Sequence, residues 1–130
     1  MLAALVWGQT GTNVAVDGLV CGSSFHDSKV NHPVGGEFEF GGSHDGLTRW
    51  CDHNEFTVVR TNEQEQIVSV EGHTLKINGV LLARKGESEA KCRARGRIVK
   101  NPVDTRYGKV AWKLEVSQGV VTGVSASLKP

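Results

Sequence analysis

Cysteine is scarce in this chain, with three residues at 21, 51 and 92. An odd, sparse set argues against a disulfide scaffold and fits folding in a reducing compartment. No run of apolar residues approaches the length of a membrane-spanning helix, so no integral membrane segment is expected. The start, MLAALVWG, is apolar but lacks a basic n-region and a small-residue cleavage pattern, so a secretory leader is not expected. Aromatic residues are few, at 6%. The strong metal spacings, C-x-x-C and H-E-x-x-H, are missing. So are a nucleophile elbow, a phosphate-binding glycine loop and a paired-carboxylate signature. An Asp45/His44/Cys51 constellation is conceivable but has no supporting motif, and the chain is expected not to be an enzyme. No window sustains helical periodicity.

Glycine, by contrast, is abundant, with 16 in 130 residues. Short runs alternate apolar and polar residues at period two. Val14 and Val16 alternate with Ala15 and Asp17; Phe38 and Phe40 with Glu37 and Glu39. Ile67, Val68 and Val70 follow a polar stretch. Val110, Trp112, Leu114 and Val116 alternate with Lys109, Lys113 and Glu115, and Val120, Val121 and Val124 continue the theme. Turn pairs separate these runs: Asp17-Gly18, Gly35-Gly36, Gly41-Gly42, Asp45-Gly46 and Asn78-Gly79. The pattern predicts an all-β chain, a single domain over residues 1–130. Its short antiparallel strands and tight hairpins are to be arranged as a cone, a sandwich or a small barrel. The polar stretch 61–66 is expected to be a loop or one helical turn. At 130 residues, the chain is long enough to bury a core without cross-links.

Val16-Asp17-Gly18-Leu19-Val20 is echoed 61 residues later by Ile77-Asn78-Gly79-Val80-Leu81. Two readings are open: any two hairpins resemble each other, or one hairpin has been duplicated.

Charge is unevenly placed. Residues 1–83 carry four basic and ten acidic side chains, net −6, while residues 84–130 carry eleven basic and four acidic, net +7. This implies a dipolar surface or a basic contact face toward the C-terminal end.

Four of the five histidines, His26, His32, His44 and His53, fall within 28 residues. A structural metal needs about four such ligands, which β-rich loops can gather from distant positions. Cys51 and His53 are two apart and so share a face of an extended chain. His32 and His44 sit in expected turns, and Cys92 follows the second hairpin. Exposed loop histidines and buried lone cysteines are also common with no metal nearby. His73, entering that hairpin, reads as structural or surface.

The stretch VEGHTLKINGVLLARKGESEAKC, residues 70–92, resembles the second hairpin of PAAR-repeat proteins. Val70, Gly72, Thr74, Ile77, Asn78, Gly79, Ala83, Arg84, Gly86 and Cys92 match that layout. Glu87 stands where the family usually has Asp, and Leu81-Leu82 replaces its Pro-Ala pair. Upstream, Asp27, His32 and Gly35-Gly36 resemble the family's His-Gly-Gly segment in loosened form. The resemblance implies a β-rich conical tip capping a trimeric spike of a phage tail or contractile-injection particle. Zinc or iron would then be held by His32, His44, His53 and Cys92. Such a protein is made in the cytoplasm, becomes a component of the virion or secretion particle, and contacts the spike or neighbouring particle subunits. A broader form of the same reading is a β-sandwich capsid or tail accessory protein.

Residues 96–116, GRIVKNPVDTRYGKVAWKLEV, resemble the opening strands of single-stranded DNA-binding OB-folds. Arg93, Arg95 and Arg97 precede it in alternation, which on a strand would put all three on one face. With Tyr107 and Trp112 they would form a basic, aromatic strip suited to nucleic acid. Here, however, only 14 residues follow the segment, whereas in that family most of the barrel does.

Overall fold

A computed structural model describes residues 12–26, 38–52 and 57–130. The alternating runs form strands β1 (Val14–Val16), β2 (Leu19–Val20), β3 (Phe38–His44), β4 (Leu47–Asp52), β5 (Val58–Thr61) and β6 (Ile67–Gly72). After these come β7 (Thr74–Ile77), β8 (Val80–Arg84), β9 (Val103–Thr105), β10 (Gly108–Ser117) and β11 (Val120–Leu128), with helix α1 (Glu89–Gly96) between β8 and β9. The fold is all-β, as the alternation predicts. Among the described residues it has two antiparallel sheets, one ordered β2-β1-β7-β8 and the other β3-β4-β5-β6-β11-β10-β9. Neither closes into a barrel.

The small sheet packs on the middle of the large one. Val14, Val16, Leu75 and Ala83 from the small sheet join Val59, Ile67, Val70, Val121, Val124 and Ala126 in one buried cluster. Each fully buried Val, Leu or Ile in it contributes about 1.5–3 kcal/mol. At one flank Phe25 packs edge-on against Phe38, with centroids 5.3 Å apart, and also meets Trp50 at 5.4 Å. The Trp50 indole N–H donates to Thr61 Oγ1 at 3.1 Å, so the half-buried ring is satisfied.

The 61-residue echo extends beyond the hairpins. Asp17 and Asn78 both have φ of 53°, each followed by a glycine at positive φ, which defines the same tight turn twice. The Thr74 N–H donates to Asp17 Oδ1 at 2.9 Å, and the Asn13 N–H donates to Asn78 Oδ1 at 2.8 Å. Both turn residues return a backbone bond, Asp17 N–H to the Thr74 carbonyl and Asn78 N–H to the Asn13 carbonyl. Past the hairpins, Gly22 and Gly86 share a φ of 96°. The Gly22 N–H donates to the Ile67 carbonyl, and the Ile67 N–H to the Ser23 carbonyl. Gly86, Val121 and Glu87 repeat that pair of bonds. Phe25 N–H to Glu65 and Glu89 N–H to Gly119 complete the correspondence. The two halves therefore meet across two seams, β1 against β7 and β6 against β11. A pseudo-two-fold axis runs through both.

Two local expectations are revised. Residues 89–96 form a helix, not a strand. Ser88 caps it, its hydroxyl accepting from the Lys91 N–H at 3.2 Å. Gly41-Gly42 is not a hairpin turn but the site of a bulge within β3, where the register shifts between Phe40 and Ser43. The polar stretch 61–66 is a turn, in which Asn62 Oδ1 accepts from the N–H groups of Gln64 and Gln66, both at 3.0 Å.

Candidate functional site

The helix decides where the basic strip points. At about 100° per residue, Arg93 and Arg97 share a face and Arg95 points elsewhere. Arg93 lies on the exposed side and pairs with Glu89 at 3.0 Å. Arg95 turns inward and grips Glu87 with both arms, Nη1 to Oε1 at 2.8 Å and Nη2 to Oε2 at 2.9 Å. Its Nη1 also donates to the Leu82 carbonyl at 3.3 Å, tying α1 to β8. The Glu87 carboxyl is pulled down to about 2, first by this hydrogen bond from Arg95 and further by the charges of Arg84 and Lys91. Arg97 is exposed and makes no ion pair among the described residues. Tyr107 packs over Gly22, leaving no room there for a Cβ, and the Arg106 guanidinium lies 4.8 Å from its ring centre. Trp112 packs on Gly96, and its indole N–H donates to the Lys100 carbonyl at 3.1 Å. Both aromatic rings thus serve as packing elements, and the five strip residues do not form one continuous face.

Of the four residues the PAAR resemblance assigns to a metal, His32 and His53 lie outside the described residues. His44 is at the turn end of β3, with an almost fully exposed side chain 3.1 Å from Asp45. Cys92 is fully buried on the inner face of α1, its Sγ 3.7 Å from Glu87 Oε1. These two sit at different sheets, one in solvent and one in the core. Among the described residues, no group of three or more His, Cys, Asp or Glu is arranged to hold a metal ion.

The clamp between Glu87 and Arg95 builds a feature that sequence reasoning missed. It holds the end of α1 against β8, so that Ile98 and Val99 face Ile77, Val80 and Leu81 across an open apolar groove of about 250 Å3. Ile98 is 93% exposed and Val80 69%. The repeat shows that this surface can be covered: Leu19, which occupies the place of Val80 in the other half, is fully buried. The available signal was Ile98-Val99, an apolar pair between basic residues with no partner in the strand pattern.

No protein family's sequence profile, no curated protein and no solved structure matches this chain. Among the described residues, no helix is long and apolar enough to cross a membrane.

Proposed function

We propose that the chain is a non-enzymatic structural subunit of a phage-like or contractile-injection particle, and that it docks on a neighbouring copy through the groove between β8 and the end of α1. The carrying observation is the pair Val80, on β8, and Ile98, in the turn after α1, both in solvent while Leu19, the equivalent of Val80 in the other half, is buried. Large apolar side chains grouped on an otherwise polar surface mark contact sites. Covering both would gain about 1.5–3 kcal/mol per side chain. The groove joins two parts of opposite charge: Ile77, Val80, Leu81 and Leu82 come from residues 1–83, net −6, and Arg95, Ile98 and Val99 from residues 84–130, net +7. A second copy can therefore offer its acidic part to the basic part of the first. Such a contact is head-to-tail and grows into rings or filaments.

Sedimentation velocity over a wide concentration range tests this. Higher-order species are expected at low salt, reduced by added salt because the contact is partly electrostatic. Ile98→Asp should return the chain to monomer without changing its melting temperature, since the side chain is already in water. A wild-type chain that stays monomeric at every concentration and salt would sink the self-assembling reading and turn the search to a different partner protein.

A further inference from the structure

Strands β4 and β5 bring two guanidinium groups onto one face of the large sheet. Arg49 and Arg60 are direct cross-strand partners. Like charges placed opposite each other repel, and the arrangement costs stability unless an anion lies between them. Arg60 has partial relief, its Nη1 lying 3.4 Å from Glu71 Oε1 with both side chains exposed. Contacts of that kind are weak in solvent. Arg49 has no ion pair among the described residues.

The bulge in β3 shapes what lies beside them. Because residue 41 is glycine, the Arg49 guanidinium can fold against the strand; a Cβ at that position would lie 3.0 Å from its Nη1. The result is a cleft of about 360 Å3 floored by Arg49 and Arg60 and rimmed by Gly42, Ser43 and His44. One carboxylate, that of Asp45, also lines the cleft, exposed and 3.1 Å from His44 Nε2, and Glu71 lies beside Arg60, so a bound anion must outcompete both. The Ser43 hydroxyl, 3.4 Å from Thr48 Oγ1, adds a neutral donor.

We propose that this cleft binds a small phosphorylated ligand, its phosphoryl group held between Arg49 and Arg60. Guanidinium groups present paired donors that match the oxygens of a phosphoryl group, and two of them balance a dianion. The cleft volume falls within the range of small-molecule sites, so it can also take the group that carries the phosphate.

The test is an amide-resolved NMR titration of the full chain at low ionic strength, using inorganic phosphate in one arm and O-phosphoserine in the other. Saturable shifts are expected at Gly41, Gly42, Ser43 and the Arg49 side chain. Arg49→Ala and Arg60→Ala should each weaken binding about tenfold or more, the loss of a charge-assisted hydrogen bond. Glu71→Gln should strengthen it by freeing Arg60, an outcome that a general loss of structure cannot mimic. Tighter binding of O-phosphoserine identifies a phosphate monoester as the ligand, and equal binding identifies phosphate alone. Shifts that never saturate, that appear equally with chloride, or that survive in Arg49→Ala overturn the proposal. If the arginine variants fail to fold, unchanged affinity in Glu71→Gln overturns it as well.

Discussion

The carboxylate of Asp17 fills the space beside Gly72 where any other residue would place its Cβ. That carboxylate cannot step aside. It accepts from Thr57 Oγ1 at 2.7 Å, from the His73 N–H at 3.1 Å and from the Thr74 N–H at 2.9 Å. These bonds tie the first turn of the small sheet to the point where the chain leaves β6 for β7. Gly72→Ala is therefore expected to destabilise the fold by about 3 kcal/mol, combining overpacking with loss of at least one part-buried hydrogen bond to a charged group. Urea denaturation measures it. Combining it with Asp17→Ala should cost clearly less than the two single losses together, because both remove the same contact. Strict additivity would show that the crowding is relieved elsewhere.

The Glu87–Arg95 pair should be visible in acid. Glu87 titrates at about 2 in the fold and at about 4.3 in an unfolded chain. A carboxyl depressed in this way stabilises the fold in full above the unfolded value, and the contribution is lost as pH falls through the folded one. Thermal melts taken between about pH 5 and about pH 2 should show stability falling across that window. In Arg95→Met the slope should flatten, because Glu87 loses its main partner. An unchanged acid slope in that variant would mean that other carboxylates account for it.

All three cysteines are free and buried. Burial pushes the Cys21 thiol up to about 12, opposed in part by a backbone hydrogen bond with Leu128, and Sγ lies 3.8 Å from the Val68 carbonyl. At pH 8 such a thiol is about 0.01% thiolate, against roughly a quarter for a free one. Since the thiolate is the reactive form, Cys21 should resist aromatic disulfide reagents in the native state and react only as urea unfolds the chain. Rapid labelling of Cys21 without denaturant, located by peptide mass mapping, would contradict its burial.

The turns were the most legible part of the sequence. Asp17-Gly18, Asp45-Gly46 and Asn78-Gly79 all join adjacent strands, because each requires positive φ at both central positions and few residue pairs supply it. Gly41-Gly42 carried the same signature but became a bulge, since the pairing with β4 resumes on its far side, Ser43 opposite Thr48 and His44 opposite Leu47. Helix α1 was hidden because Cys92 is its only buried residue; with no apolar stripe there is no period to find, and the Ser88 cap was the one readable mark. Arg93, Arg95 and Arg97 were misplaced for the same reason, since alternation means a shared face only on a strand. The Glu87–Arg95 clamp and the Arg49–Arg60 cleft depend on which strands become neighbours, and local sequence pattern does not carry that. The hairpin echo was legible, but its continuation was not: Gly22 and Gly86 share a backbone conformation while Cys21-Gly22-Ser23 and Lys85-Gly86-Glu87 share only the glycine.

The two seams also bear on how the chain comes together during synthesis. Each sheet is divided between the halves, so β1 and β6 emerge first and wait, unpaired along one side, for β7 and β11. The first half has no completed sheet of its own, and strand edges left open in this way invite pairing with a second nascent chain. Such a pairing, half to half between two molecules, would reproduce both seams in an exchanged form. His73, the single residue joining β6 to β7, is what makes the correct partner the nearer one.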